Sequence, residues 1–129
     1  MKLAPIFIAI AALTASVTAA PIALAHSRVV ASTPAEGATV KTARVVTLTF
    51  SEALLPPTAA ASIVMTAMPG VKDHGEMVIR NFTTTWSDGN RTMTLSLRKP
   101  LSAGTYEVRW QAAGADGHRM KGTVGFKVS

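Results

Sequence analysis

The chain contains no cysteine, so no disulfide can stabilise its fold and no thiolate can act as a nucleophile or bind a metal. It also lacks the G-x-S-x-G turn of serine hydrolases and the glycine-rich motifs that hold phosphate groups. These absences argue against nucleophilic catalysis and against nucleotide binding.

Acidic residues are scarce, with 7 Asp and Glu against 13 Lys and Arg, which gives a formal net charge of +6. The basic residues are scattered, without a run and without interleaved aromatic residues, so they do not indicate nucleic-acid binding. We interpret the charge as favouring solubility or as a basic face toward an anionic membrane or partner.

Long apolar runs are confined to the start of the chain. Lys2 supplies a positive charge, an apolar run follows, and Ala23-Leu24-Ala25 has the small-x-small pattern of a cleavage site. The pattern predicts a signal peptide over 1–25 and an exported, periplasmic domain over 26–129. Beyond residue 25 no apolar run approaches the roughly 20 residues that span a bilayer, so we expect a soluble mature chain. An uncleaved signal anchor is the alternative, and it would deny His26 a free α-amine.

Short stretches of alternating apolar and polar residues dominate the rest of the chain, separated by turn residues. About seven such stretches in roughly 100 residues predict an all-β fold, an antiparallel β-sandwich. The predicted strands cover 28–31, 45–50, 61–66, 78–86, 93–97, 106–110 and 123–128. The polar, irregular segment 69–76 is predicted to be a surface loop.

The chain has three histidines, and each lies where a metal ligand could be exposed. Cleavage after residue 25 would let His26 bind a metal through its α-amine and its imidazole together, a chelate that suits the tetragonal geometry of Cu(II). Asp116 and His118 are two residues apart and can point the same way in extended backbone. The alternative for this pair is a plain turn with solvated side chains. Zinc is a further possibility that three widely separated histidines do not support.

Two further groups of residues could contribute ligands. Glu52 follows a predicted strand and could bind a metal or orient an imidazole, although a lone acid at a strand end is more often solvated. Met65, Met68, His74 and Met77 offer soft thioethers and an imidazole, which favour Cu(I). Methionine is usually core filling, and Met65, inside a predicted strand, is the member of this group expected to be packed.

Taken in order, the motifs of the mature chain resemble those of the CopC family of periplasmic copper-binding proteins. The resemblance rests on His26-Ser27-Arg28-Val29-Val30, Ser32-Thr33-Pro34-Ala35-Glu36-Gly37, Phe50-Ser51-Glu52, Val64-Met65-Thr66-Ala67-Met68-Pro69-Gly70, Leu101-Ser102-Ala103-Gly104-Thr105-Tyr106-Glu107-Val108-Arg109-Trp110, Asp116-Gly117-His118, Gly122 and Phe126. The resemblance implies a Greek-key β-sandwich of cupredoxin-like or immunoglobulin-like shape.

The resemblance also implies a ligand set. Cu(II) would be held by the amine and imidazole of His26, the imidazole of His118 and an oxygen of Asp116, with Glu52 as a direct ligand or a hydrogen-bond partner of one. A Cu(I) site would lie at the methionine loop, on the residues Met65, Met68, His74 and Met77.

The chain departs from the family pattern at two positions. Val71 stands where methionine-rich relatives carry another methionine, and fewer thioethers would weaken Cu(I) binding. Arg119 replaces a proline often found after the second histidine, which changes local stiffness and charge without changing the ligands.

These features predict a copper carrier for copper resistance or import, and not an enzyme. Its partners would be copper and either an inner-membrane importer of the CopD type or a periplasmic copper oxidase; we expect a monomer that does not bind nucleic acid. Two alternatives stay open: an enzyme with the copper brace of lytic polysaccharide monooxygenases, and a metal-free immunoglobulin-like adhesion module.

Overall fold

The fold is an all-β sandwich of two sheets. The computed structural model describes Ser16 and residues 27–129, and within these residues nine strands form a four-stranded and a five-stranded sheet. The strands are β1 (Val29–Thr33), β2 (Thr39–Val40), β3 (Val45–Phe50), β4 (Ala60–Ala67), β5 (Met77–Ile79), β6 (Phe82–Ser87), β7 (Thr92–Leu97), β8 (Gly104–Ala113) and β9 (Arg119–Val128), and a 3₁₀ turn lies at Pro56–Thr58. The sheet orders are β1-β3-β7-β6 and β2-β9-β8-β4-β5. The predicted all-β sandwich is confirmed.

The core is built from the apolar positions of the alternating strands. β3, β7 and β8 each bury every second side chain, as their sequence periodicity predicts. The ring of Phe50 in the four-stranded sheet meets Trp110 of the five-stranded sheet edge to face, with ring centroids 4.8 Å apart. Apolar burial of this kind is the main favourable term in folding, and it stabilises the chain without disulfides.

The strand count is higher than the predicted seven for two reasons. β2 has two residues and runs parallel to β9, the one parallel pair among the described strands, and it is too short to show periodicity. The predicted strand 78–86 is two strands, because the chain leaves the five-stranded sheet after Ile79 and enters the four-stranded sheet at Phe82.

The segment between β4 and β5 is a loop, as predicted for residues 69–76. Among the residues that the structure describes, no helix is long and apolar enough to cross a membrane.

Candidate metal centre

Asp116 and His118 lie side by side in the connection between β8 and β9. The turn is closed by two backbone hydrogen bonds: Gly114 donates to the His118 carbonyl at 3.2 Å, and Gly117 donates to the Gly114 carbonyl at 2.9 Å. Gly117 has a φ of 81°, which glycine adopts without steric cost. The sequence therefore folds locally into a tight turn that presents both side chains to solvent, each with 59% of its side chain exposed.

The carboxylate of Asp116 contacts His118 at two points. Its Oδ1 accepts a hydrogen bond from the His118 backbone N–H at 3.0 Å, and its Oδ2 lies 3.3 Å from the ring Nδ1. A carboxylate beside Nδ1 favours the tautomer with a proton on that nitrogen, which leaves the Nε2 lone pair to bind a metal. The pair is thus arranged as an imidazole ligand with an acidic orienting group or neighbouring oxygen ligand.

The first described residues of the domain are fastened to the same end of the sandwich. Ser27 is 5% exposed; its backbone N–H donates to the Met120 sulfur at 3.0 Å, and its hydroxyl donates to Glu52 Oε2 at 3.3 Å. Arg28 and Ser51 then exchange hydrogen bonds of 3.1 and 2.9 Å. Ser27 is bonded to His26, so the chain is anchored one residue after the predicted N-terminal ligand.

Glu52 is brought to this end by the segment that follows it. Leu54 forms an isolated bridge with Gly114 and is 1% exposed, and the backbone N–H of Leu55 donates to the Ala113 carbonyl at 2.9 Å. These contacts hold the segment after β3 against the start of the Asp116 turn. Glu52 therefore lies at the same end as Asp116, and it accepts a hydrogen bond from the hydroxyl of Ser27.

Gly114 marks the centre of this arrangement. A Cβ placed on Gly114 would lie 3.5 Å from both Asp116 Oδ1 and Met120 Cε, and 4.0 Å from the hydroxyl of Ser27. Three side chains from separate parts of the site therefore converge over one glycine. Ser27 and Met120 were not among the predicted site residues; the spacing of Met120, two positions after His118, is the signal that could have indicated it.

His26 lies outside the described residues. Within residues 27–129, no three His, Asp or Glu side chains come close enough together to hold a metal ion.

The methionine loop lies at the opposite end of the sandwich. Met65 in β4 pairs with Met77 in β5 on one side and with Tyr106, near the start of β8, on the other. Gly114 follows the far end of β8, so about 25 Å of extended strand separates the two regions. A copper ion cannot contact ligands of both regions at once.

The four predicted loop ligands differ in accessibility. Met65 is 1% exposed and belongs to the hydrophobic core, and Met68 is half-buried against that core. His74 is half-buried, with its Nδ1 2.7 Å from the Gly75 carbonyl, and Met77 is 47% exposed. The structure thus brings Met65 and Met77 together as cross-strand partners and leaves Met77 the most accessible thioether of the group.

An ion-pair network fastens the end of this loop to the five-stranded sheet. Arg109 donates to both oxygens of Glu76, at 3.0 and 2.6 Å, and its Nε donates to Glu107 at 3.0 Å. The hydrogen bonds and positive charge of Arg109 lower the pKa of the Glu76 carboxyl, and those to Glu76 and then Glu107 raise the pKa of the guanidinium. Because the pair is exposed, it contributes little to stability, but it ties the residue before Met77 to β8.

The fold and these two regions define a small β-sandwich with an imidazole and carboxylate at one end and a methionine and histidine loop at the other. The CopC domain model matches residues 29–129. The chain belongs to the CopC family, and the predicted family membership is confirmed.

Curated relatives are the copper resistance proteins C of bacteria. The chain is 42% identical to that of Pseudomonas syringae pv. tomato over 79 residues, and 35% identical to that of Escherichia coli over 79 residues. These matches cover 61% of this chain and about three fifths of each relative, 61% and 62%.

Solved structures share the fold over a greater length. The crystal structure of PcoC, a methionine-rich copper resistance protein from Escherichia coli, superposes with a TM-score of 0.72 at 31% identity, covering 81% of this chain and 100% of PcoC. CopC from Methylosinus trichosporium OB3b superposes with a TM-score of 0.64 at 25% identity, covering 81% of this chain and 94% of that protein.

Proposed function

We propose that this chain is a periplasmic copper carrier that binds Cu(II) at the end of the sandwich formed by Ser27, Glu52 and the Asp116 turn. The ligands would be the α-amine and imidazole of His26, the imidazole of His118 and an oxygen of Asp116. The observation that carries the proposal is the anchoring of Ser27, because the residue bonded to His26 donates hydrogen bonds to Met120 and Glu52 and its hydroxyl lies over Gly114 beside Asp116 Oδ1.

The chemistry of this donor set fits Cu(II). Three nitrogens and one oxygen suit the tetragonal coordination that Cu(II) prefers. The proposal requires removal of residues 1–25, because only cleavage turns the His26 nitrogen from a peptide amide into a basic amine. Copper binding must then weaken in acid, since protons compete for the amine and imidazoles.

Glu52 has a supporting role in this proposal. Its carboxylate accepts a hydrogen bond from the hydroxyl of Ser27 at 3.3 Å, so it positions the residue next to His26 and adds negative charge beside the cation. Such second-layer contacts typically change metal affinity by about 10- to 100-fold.

The methionine loop would be a second, Cu(I) site. Met68, His74 and Met77 are the accessible donors, while Met65 would have to leave the core to reach a metal. The distance between the two regions implies that copper bound at one is exchanged through a partner and not directly with the other. An inner-membrane importer or a periplasmic oxidase would be such a partner.

Family membership supports a binding protein and not an enzyme. Copper delivery or sequestration uses ligand binding alone, and the exposed Asp116 turn is accessible to a receiving protein.

Titration of the processed chain with Cu(II), in competition with a chelator of known affinity, tests the proposal. His118→Ala should lower Cu(II) affinity at least about 100-fold, because it removes a ligand and not merely a positioning contact. The matched control, His74→Ala, removes the same side chain from the opposite end and should change the affinity less than about threefold. Equal affinities of the two variants would refute the proposed site.

A further inference from the structure

Met120 places a thioether at the proposed Cu(II) centre, where the family resemblance assigns no methionine. We propose that this sulfur is a ligand for Cu(I), so that the same centre holds copper in both oxidation states. This inference rests on the proposed function of the centre and adds a specificity-determining residue to it.

The position of the side chain carries the inference. Its Sδ lies 3.0 Å from the backbone nitrogen of Ser27, an atom three covalent bonds from the backbone nitrogen of residue 26. Its Cε lies 3.5 Å from the position that a Cβ on Gly114 would occupy, and Asp116 Oδ1 lies 3.5 Å from the same position. The thioether therefore faces the space between the chain start and the Asp116 turn.

The surroundings of Met120 differ from those of the core methionines. Met65 and Met93 are at most 1% exposed and are enclosed by apolar side chains. Met120 is half-buried at the edge of the core, with a backbone N–H directed at its sulfur. A side chain that served packing alone would not need its polarizable sulfur turned toward the backbone N–H of Ser27, the residue next to the proposed ligand His26.

The chemistry of a thioether gives this position a specific effect. Sulfur of methionine is a soft ligand that favours Cu(I) and binds without losing a proton. In blue-copper sites, where two histidines and a cysteine hold the metal, the weak axial methionine sulfur tunes the reduction potential; this chain has no cysteine, so here the effect would come from the thioether and the imidazoles alone. Met120 should therefore stabilise Cu(I) more than Cu(II) and raise the potential of the bound ion.

Met120→Leu tests the inference in the processed chain, with Met68→Leu and Met77→Leu introduced first so that the loop contributes no Cu(I) signal. Leucine conserves the volume of methionine, so the fold should persist. Met93→Leu is the matched control, because it makes the same change in the core away from the centre. Cu(I) and Cu(II) affinities are measured in separate competition titrations, and sulfur ligation is measured by X-ray absorption of the Cu(I) form.

We expect Met120→Leu to lower Cu(I) affinity at least about tenfold and Cu(II) affinity less than about threefold, with a drop in reduction potential of about 59 mV for each tenfold difference. The copper–sulfur scattering of the chain that carries Met68→Leu and Met77→Leu should disappear when Met120→Leu is added and persist when Met93→Leu is added.

Two results would overturn the inference: an unchanged Cu(I) affinity, or an equal loss of affinity for both oxidation states, which would assign Met120 to holding the Ser27 amide. Failure of the proposed function is distinguished by the Cu(II) titration of the parent chain. Absence of Cu(II) binding there would overturn the centre itself.

Discussion

The close contact between Gly122 and the indole of Trp110 predicts a large cost for adding a single methyl group. Gly122 pairs with Trp110 across β9 and β8. A Cβ at position 122 would lie 2.8 Å from two atoms of the indole and 2.9 Å from a third. Optimal carbon contacts are about 3.5–4.0 Å, so Gly122→Ala forces an overlap of about 0.7 Å with a rigid ring.

The indole has little room to move away. Trp110 is 5% exposed, and its ring packs edge to face against Phe50 at 4.8 Å. Overpacking of this kind lowers the free energy of unfolding by about 1–3 kcal/mol. A central value of about 2 kcal/mol corresponds to a fall in melting temperature of about 8–16 °C for a domain of this size. Thermal and urea unfolding, followed by tryptophan fluorescence, measure the change.

Gly125→Ala provides the control on the same strand. The added Cβ would lie 3.6 Å from Glu36 Oε1 and 3.7 Å from the Tyr106 carbonyl oxygen, which are ordinary contact distances. We expect Gly125→Ala to change the free energy of unfolding by less than about 0.5 kcal/mol. Equal stability of Gly122→Ala and Gly125→Ala would contradict the close packing of Trp110 over Gly122.

Two further predictions concern the site ends. Arg109→Gln should raise the pKa of Glu76 toward its ordinary value of 4.5, which NMR titration of the carboxyl measures. Because the pKa of Glu76 is lowered in the folded parent chain, the ion pair stabilises the fold above pH 4.5 and loses its effect as the pH falls through the folded pKa. An unchanged titration of Glu76 in the variant would refute the pairing. Leu54→Ala should lower the free energy of unfolding by about 2–5 kcal/mol, since the side chain is 1% exposed. It should also weaken Cu(II) binding by loosening the segment that carries Glu52. Denaturant unfolding and Cu(II) titration measure the two effects, and an unchanged stability would contradict the burial of Leu54.

Strands with one buried face were predictable from the sequence. In β3 the side chains of Val46, Leu48 and Phe50 alternate with polar threonines, and this period of two is the direct consequence of the pleat. The crossing between β5 and β6 was missed because the whole run is rich in strand-forming residues. The inward apolar positions change from an odd residue number at Ile79 to an even one at Phe82, with two polar residues between them. This change of alternation is the sequence signal of the break.

The contact between Asp116 and His118 was predictable from the sequence, whereas the contacts around Ser27 were not. The spacing of Asp116 and His118 indicated a shared direction, and the structure places the two side chains in contact. The contact of Ser27 with Glu52 and Met120 joins residues far apart in the chain, which no local pattern can reveal. The core position of Met65 agrees with the expectation that a methionine inside a strand is packed.

Cu(II) binding by the chain that begins at His26, compared with the same chain carrying one alanine before His26, tests the proposed centre most directly. The added residue converts the α-amine into a peptide amide and leaves every side chain in place. We expect the electron paramagnetic resonance spectrum of the His26 chain to show three nitrogen ligands, and the extended chain to lose one of them and at least about 100-fold in Cu(II) affinity. Identical spectra and equal affinities in the two chains would contradict the amine and imidazole chelate.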